Sequence, residues 1–266
     1  MKTKKEILLL ILLGLVSMLK SYSQEGYCGL GAGYGFPAGG IQMIEYNNSN
    51  AFTTQTLSFG KGLNFGLYGG YMINKYIGME LDASYLNNTV KINSGSVAYV
   101  YPLFNMYQPP LQFTSYMLRL TPSVRFQYGE KRLRPYAILG LIAGLGTRVT
   151  VDFTVPGYET NSADVYSGGY SYGIHGALGI RVLLLNNAWA FIEASANYQD
   201  FIPGKEIIEP GQSQVNFVSS GYYSSSGNVT TEPLIYLPFS SLGLNAGIQL
   251  SLVKTQKAPQ KKAGNL

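Results

Sequence analysis

His175 is the only histidine of the 266-residue chain, and Cys28 is the only cysteine. A hydrolytic site would pair the imidazole, as a base, with a serine such as Ser171 or Ser195 and an acid such as Glu193. These groups must then lie within hydrogen-bonding distance of one another. No catalytic motif surrounds His175, and one histidine with one cysteine supplies too few ligands for a zinc site. The sequence therefore predicts no catalytic residues, no cofactor and no metal.

Nucleotide and nucleic-acid partners are also disfavoured. From Gly29 to Gly35 every second residue is glycine, which is not the G-x-G-x-x-G spacing of a nucleotide-binding loop, and no helix is predicted after it. The formal net charge of +5 is concentrated at the two ends, because residues 24–253 hold eleven basic and thirteen acidic side chains. A slightly acidic body lacks the clustered cations that neutralise nucleic-acid phosphates, so no nucleic acid partner is expected.

Charged side chains follow an alternating pattern. From Ile77 to Tyr85 the odd positions are apolar and the even positions are small or charged, and the same separation recurs in other segments. We expect the charges to face one another in a narrow interior as a salt-bridged network, because an unpaired buried charge is costly. A gated ion path is the alternative, and the sequence does not say which carboxylate pairs with which arginine. The predicted network consists of Glu80, Asp82, Arg119, Arg125, Arg148, Asp152, Arg181 and Glu193.

The alternation has a period of two residues and occurs in eight blocks, which predicts eight β-strands. Each block supplies about the 9–11 residues that a tilted membrane strand needs. The connections between blocks are alternately short and long, as in bacterial outer-membrane barrels. The blocks are about 27–37, 62–73, 77–85, 116–128, 137–151, 170–183, 188–201 and 239–253.

Two architectures could present this pattern: a soluble barrel or sandwich with its charges outside, or a transmembrane barrel with its charges inside. Glycines share the phase of the charges, where they would make room in a narrow lumen for arginine and tyrosine. Aromatic residues on the apolar phase cluster at the strand ends, as interfacial girdles do. We therefore predict an all-β fold, an eight-stranded antiparallel transmembrane up-and-down β-barrel with short periplasmic turns and long extracellular loops. An even strand number would leave both termini in the periplasm.

The two ends of the chain are predicted to lie outside the barrel. Lys2, Lys4 and Lys5 precede an apolar run, and Ser21-Tyr22-Ser23 supplies a cleavage site, so residues 1–23 are predicted to be a cleaved signal peptide. The barrel would then occupy residues 24–253. Residues 254–266 form a polar, basic tail that we expect to be disordered in the periplasm.

Three segments carry a family resemblance: residues 62–71, Arg134-Pro135-Tyr136 leading into Gly140, and the last strand. On these segments the chain resembles the small OmpA/OmpX-type eight-stranded outer-membrane barrels of the porin-like outer membrane protein β-barrel domain family. The last strand looks like their terminal insertion signal, which would here be formed by Asn245, Gly247, Leu250 and Leu252. Two features depart from the family: the basic tail after the last strand, and Pro122 in mid-strand, where we expect a bulge, a local kink or a misplaced strand.

The resemblance implies an outer-membrane protein of a Gram-negative bacterium. Its partners would be outer-membrane lipid and lipopolysaccharide, the barrel-assembly machinery during insertion, and an extracellular or envelope protein. Tyrosine-rich loops suit recognition because tyrosine gives a large contact area at low entropic cost. We expect a non-enzymatic structural or surface-interaction role. The alternatives are a narrow channel, a subunit of an envelope secretion assembly, and a lipid-A-modifying enzyme. The candidate recognition residues are Tyr99, Tyr101, Phe104, Tyr107, Phe217, Tyr222 and Tyr223.

Overall fold

The computed structural model is all-β in the residues that it describes, which are 26–46, 52–92, 98–100, 111–129, 132–154, 161–209, 213–218, 224–226 and 229–252. In these ranges no helix is long and apolar enough to cross a bilayer. The strands are β1 (Gly26–Pro37), β2 (Ile41–Tyr46), β3 (Phe52–Leu57), β4 (Gly62–Met72), β5 (Ile77–Ile92), β6 (Ala98–Val100), β7 (Leu111–Gln127), β8 (Leu133–Thr154), β9 (Asn161–Ser167), β10 (Tyr170–Leu185), β11 (Ala188–Ile202), β12 (Lys205–Glu209), β13 (Ser213–Val218), β14 (Ser224–Ser226), β15 (Val229–Pro233), β16 (Leu237–Pro238) and β17 (Ser241–Ser251).

Eight of these strands close a barrel in the order β1-β4-β5-β7-β8-β10-β11-β17, and β17 pairs with β1. Every neighbouring pair is antiparallel. Connections 73–76, 128–132 and 186–187 are short and lie at one end, hereafter the short-turn end; the opposite end is the long-loop end. The predicted eight-stranded antiparallel up-and-down barrel is confirmed.

Outward-facing side chains form an apolar belt around the barrel. Leu67, Leu141 and Leu178 are 66%, 65% and 70% exposed, whereas a soluble barrel or sandwich would bury its apolar face. Aromatic side chains border the belt at both ends, as expected of membrane interfaces. At the long-loop end these are Tyr34, Phe36, Tyr85, Tyr116, Tyr170, Tyr172 and Tyr198, and at the short-turn end they are Tyr76, Phe126 and Tyr128.

A β-bulge in β8 reverses which residues face the lumen. Tyr116 of β7 pairs with Arg148, but Leu118 pairs with Leu145, so Met117 lies opposite two residues of β8. Gly146 occupies the bulge with a φ of 59°, a left-handed conformation that glycine adopts at little cost. Before the bulge the even-numbered residues of β8 face inward, and after it the odd-numbered ones do.

The prediction that Arg148 and Asp152 face the lumen is therefore wrong. Past the bulge, Thr147, Val149 and Val151 are the buried residues, and Arg148 is exposed on the outer face. Asp152 shares the outward phase of Arg148. A strict period of two cannot reveal this, because one inserted residue moves every later side chain to the other face.

The bulge or kink expected at Pro122 is also absent from the described ladder. Pro122 pairs with Leu81 of β5 in a register that continues unchanged on both sides. Its register with β8 is likewise the same before and after it. The proline is exposed on the outer face, and the irregularity of β7 and β8 lies at Gly146 instead.

Several strands continue the barrel wall beyond the membrane belt. The upper part of β8 pairs with β9 rather than β10, β9 pairs with β12, and β13, β15 and β14 follow. The chain turns between β9 and β10 at Gly168 and Gly169, whose φ values are 71° and 70°. A separate sheet contains β3, β2 and β6 in that order.

The mouth of the barrel at the long-loop end is filled by buried apolar side chains, hereafter the mouth cluster. The cluster combines inward residues from the upper halves of β5, β7 and β8 with residues from the connections and the extended wall. Its members are Leu57, Phe59, Leu86, Phe113, Met117, Val149, Val151, Tyr166, Phe201, Val215, Phe217, Leu237 and Phe239.

Phe217 is thus not available as the recognition residue predicted from the loop sequence, because it is 8% exposed and belongs to the mouth cluster. A phenylalanine on the inner face of a sheet gains more by burial than by exposure. Tyr99 lies in β6, and its side chain is not among those described. Five of the predicted recognition residues lie outside the described residues, as do residues 1–23 and 254–266. These five are Tyr101, Phe104, Tyr107, Tyr222 and Tyr223.

Substituting Gly146→Ala is expected to destabilise the barrel by about 1–2 kcal/mol, because a Cβ strains the left-handed conformation of the bulge. The free energy of unfolding would be measured in urea from lipid vesicles, with Trp189 fluorescence as the signal, since it is the chain's only tryptophan. Gly176→Ala is the matched control, because a Cβ there would meet only Leu139 at 3.8 Å. Equal losses in the two variants would contradict a conformational role for Gly146.

The barrel lumen as candidate functional site

Arg125 lies at the centre of the polar side chains in the lumen. Its Nη1 is 3.4 Å from Oε2 of Glu80, and the two side chains are 2% and 6% exposed. The same nitrogen donates a 2.9 Å hydrogen bond to Oε1 of Gln249. The Tyr27 hydroxyl donates to Glu80 over 3.0 Å. The guanidinium carbon is also 4.3 Å from the ring centroid of Tyr136, which adds a cation–π contact.

Two further arginines stack on Trp189, the only tryptophan of the chain, close to the short-turn end. The guanidinium groups of Arg134 and Arg181 lie 4.5 Å and 4.7 Å from the ring of Trp189. Arg181 is fully buried and donates to Oε1 of Gln127. These side chains and the Arg125 contacts make a dense polar layer across the lower lumen.

Glycines accommodate the lumen aromatics, although from neighbouring strands rather than from across the barrel. A Cβ at Gly70 would clash with the ring of Tyr27, and a Cβ at Gly179 would clash with Tyr136. Gly70 is on β4 beside β1, and Gly179 is on β10 beside β8. The glycines on the charged phase therefore let a bulky side chain lie flat over the adjacent strand.

On the long-loop side of this layer is a polar cavity of about 90 Å³. Its charged lining comprises Glu80, Asp82, Glu193, Arg119 and Arg125, together with His175. A cavity of this size has room for water. The hydroxyl of Tyr68, Oδ1 of Asn245 and Nε of Arg119 are buried without a protein partner, so water in the cavity would satisfy them.

Glu193 is held in the cavity wall by neutral donors. The Tyr136 hydroxyl donates to its Oε2 over 3.1 Å, and Nδ2 of Asn245 donates to its Oε1 over 3.2 Å. Hydrogen bonds from two neutral groups can hold a carboxylate without a direct ion pair. The structure thus brings Glu80 and Arg125 together, and places Asp82, Arg119 and Glu193 around the same cavity.

The residues of the hydrolytic alternative are engaged elsewhere. His175 Nδ1 is 2.7 Å from Oδ1 of Asn197. Ser171 donates to the carbonyl of Asp200, and Ser195 accepts from Nδ2 of Asn245. The histidine and the two serines therefore have separate hydrogen-bonding partners. Among the described residues, no three His, Cys, Asp or Glu side chains are grouped so that they could hold a metal ion.

The mouth cluster is tied to the barrel wall directly above the cavity. Nη2 of Arg119 donates to the carbonyl of Phe239 over 3.3 Å, and the Phe239 amide donates to the carbonyl of Gln199 over 2.8 Å. The Phe59 amide donates to the carbonyl of Pro238 over 2.8 Å. Phe59 and Phe239 are almost fully buried. Arg119 therefore links the charged cavity to the apolar mouth.

An acidic group in the extended wall had no counterpart in the sequence predictions. Burial raises the pKa of Glu206 to about 7, and the negative charges of Asp164 and Glu232 raise it further, while a hydrogen bond with Tyr166 opposes them. Glu206 lies opposite Tyr166 in the strand register. Single-sequence alternation could not find this group, because its members come from three short strands whose pairing is set by the tertiary fold.

No protein-family model matches the chain, and no curated protein matches it. Solved structures are similar to it at low identity. Neisserial surface protein A is 14% identical with a TM-score of 0.35, covering 87% of this chain and 100% of that one. Ail, the attachment invasion locus protein of Yersinia pestis, is 13% identical with a TM-score of 0.33, covering 85% and 99%. The outer membrane protease OmpT from Escherichia coli is 8% identical with a TM-score of 0.41, covering 88% and 99%. Similarity at this level carries no information about activity.

Removing the carboxylate in Glu80→Leu is expected to destabilise the barrel by about 3–5 kcal/mol, because Arg125 would remain buried without its ion-pair partner. Urea unfolding from vesicles would measure the loss. The double variant Glu80→Leu with Arg125→Met should recover much of it, since no charge is then left unpaired. A single variant as stable as the native chain would contradict the importance of the ion pair.

Closure of the eight-stranded ladder and the apolar belt together determine the class of this protein. Inside hydrocarbon every backbone polar group must be paired within the protein, and a closed barrel is one of only two structures that achieve this. Here the strands pair all the way round, the outward side chains are apolar, and aromatic residues border the belt. The chain is therefore a transmembrane β-barrel protein of the small, eight-stranded outer-membrane type.

Proposed function

We propose that this protein is a non-enzymatic outer-membrane barrel whose lumen is shut and which acts as a structural or surface-interaction protein through its long-loop end. The observation that carries the proposal is the double filling of the lumen. Below, Arg125 is paired with Glu80 and surrounded by tyrosines. Above, Phe59 and Phe239 fill the mouth.

The two layers resist conduction by different means. An ion crossing the lower layer would have to displace a buried ion pair and its hydrogen bonds. In the upper layer it would have to cross an apolar cluster that offers no replacement for its hydration shell. Eight strands enclose an interior that side chains can fill completely, which supports closure over the alternative of a narrow channel.

The proposed orientation places the short turns and both termini in the periplasm, and the long loops outside the cell. The start of β1 and the end of β17 are adjacent, because the Leu252 amide donates a 2.7 Å hydrogen bond to the carbonyl of Gly26. They lie at the short-turn end, and outer-membrane barrels keep their short turns on the periplasmic side. Residues 254–266 would then extend into the periplasm.

Surface interaction is assigned to the long-loop end because the strands and connections outside the membrane belt lie there. The wall continues beyond the belt through β9, β12, β13 and β15, and the β3-β2-β6 sheet lies at the same end. A rigid wall that carries variable connections is a common arrangement for binding. Lipopolysaccharide and an extracellular or envelope protein are the proposed partners, and the barrel-assembly machinery would insert the chain through the signal of Asn245, Gly247, Leu250 and Leu252.

Closure predicts that the refolded native protein gives no conductance steps in a planar lipid bilayer. The double variant Phe59→Ala with Phe239→Ala should stay silent as well, because the layer around Arg125 and Trp189 still fills the lumen. Adding Glu80→Ala, Arg125→Ala and Trp189→Ala removes both layers and should give conductance steps. Phe36→Ala, which removes a 49% exposed ring from the outer face, is the matched control and should stay silent. Steps from the native protein would overturn closure and favour the channel.

Orientation can be tested with single cysteines in a Cys28→Ser background. A membrane-impermeant maleimide added to intact cells should label Val229→Cys, which replaces an exposed residue of the extended wall. It should not label Lys75→Cys in the short turn between β4 and β5 until the outer membrane is permeabilised. The reverse labelling pattern would contradict the proposed orientation.

A further inference from the structure

We propose that the outer face of the β8–β12 wall is a docking surface for the phosphorylated sugar head group of an outer-leaflet glycolipid. Two groups of side chains form the surface: a row of cations above the membrane belt and a tyrosine patch at its edge. The proposal locates the surface that would bind the lipopolysaccharide partner proposed above, and the choice of leaflet rests on the orientation proposed there.

The cation row is a consequence of the bulge in β8. Arg148 faces outward only because Gly146 shifts the alternation, and it pairs with Ser167 of β9. Ser167 pairs in turn with Lys205 of β12, so all three lie on the same face. Arg148 and Lys205 are both exposed, and two strand spacings separate them by roughly 10 Å. Bulges commonly re-aim a side chain at functional positions.

The tyrosine patch lies lower on the same wall and surrounds a carboxylate. Tyr170 and Tyr172 of β10 are stacked, with ring centroids 6.0 Å apart and an interplanar angle of 16°. Tyr172 pairs with Asp200 of β11, and Tyr198 lies two residues before Asp200 on the same face. Tyr236 lies two residues before Pro238 of β16, and Pro238 pairs with Asp200 on the side of β11 opposite to β10. The four tyrosines are between 55% and 66% exposed.

Height on the barrel decides what can occupy this surface. On the short-turn side of the patch, Ile174 pairs with Tyr198 of the patch and with Leu141. Ile174 and Leu141 are 59% and 65% exposed and belong to the apolar belt. Acyl chains therefore lie against the wall immediately beneath the tyrosines, and the head group of the same lipid lies at the tyrosines and above them. The surface continues the lipid belt.

The chemistry of the two groups matches the two parts of such a head group. Sugar rings present C–H faces to aromatic rings and hydroxyl donors to a carboxylate, which suits the tyrosines and Asp200. Phosphate oxygens attached farther along the sugar would meet Arg148 and Lys205, since guanidinium and ammonium groups bind phosphate well. An unphosphorylated lipid would leave the cation row unused, and a phospholipid without sugar would leave Asp200 facing an anionic group.

Binding would be measured on the mature chain in phosphatidylcholine nanodiscs titrated with rough lipopolysaccharide, whose core sugars carry phosphate, and in parallel with phosphatidylglycerol. Arg148→Ala with Lys205→Ala should weaken the apparent affinity by about tenfold or more, because two charge-assisted contacts are lost. Tyr170→Leu with Tyr172→Leu should also weaken it. The matched controls are at the other rim: Lys75→Ala, and Tyr76→Leu with Tyr128→Leu, which removes a similar stacked pair at 6.4 Å and 16°. These should bind as the native chain does.

Native affinity in the Arg148/Lys205 variant would overturn the proposal. So would equal weakening in the controls at the short-turn end, which would indicate a general lipid effect. A loss that synthetic phosphatidylglycerol reproduces at equal phosphate concentration would show an anionic-lipid contact only, and would also overturn the sugar component. Both faces are accessible in a nanodisc, so the binding result does not depend on orientation. Failed cysteine labelling with intact binding would reject only the leaflet.

Discussion

The interior width of an eight-stranded barrel is the constraint on which the rest of the structure depends. At this strand number the interior has room for side chains and little else. Every inward side chain must then be small, or be bound to a neighbour, or lie flat over a glycine on the adjacent strand. Arg125 satisfies this requirement through Glu80, Gln249 and the surrounding tyrosine rings. Two of these rings, those of Tyr27 and Tyr136, lie over Gly70 and Gly179.

The lumen changes character along its length because two different solutions meet at Arg119. Below it, polar side chains satisfy one another and leave a cavity suited to water. On the long-loop side of Arg119, apolar residues from the connections and the extended wall pack with inward strand residues and fill the mouth. Arg119 belongs to both layers, since it lines the cavity and donates to the carbonyl of Phe239. The buried guanidinium supplies a donor to the Phe239 carbonyl and so ties the inward segment to the barrel wall.

One backbone irregularity connects the inside of the barrel with its outside. The bulge at Gly146 directs Val149 and Val151 into the mouth cluster and directs Arg148 outward. The apolar closure of the mouth and the cation row on the outer wall therefore have the same origin. The proposed closure and the proposed lipid contact would both depend on this single inserted residue.

The sequence by itself determined the strand number, the antiparallel order, the alternating connection lengths and the phase of most side chains. It could do so because lipid and lumen impose opposite polarity on successive residues, and that contrast is written locally in blocks such as Ile77 to Tyr85. Only the tertiary structure decided the fates of Arg148, Asp152 and Phe217, the pairing of Glu80 with Arg125, and the assembly of the mouth cluster. These depend on register between strands, on one bulge and on connections that fold back inside, and each is set by contacts between residues far apart in the chain.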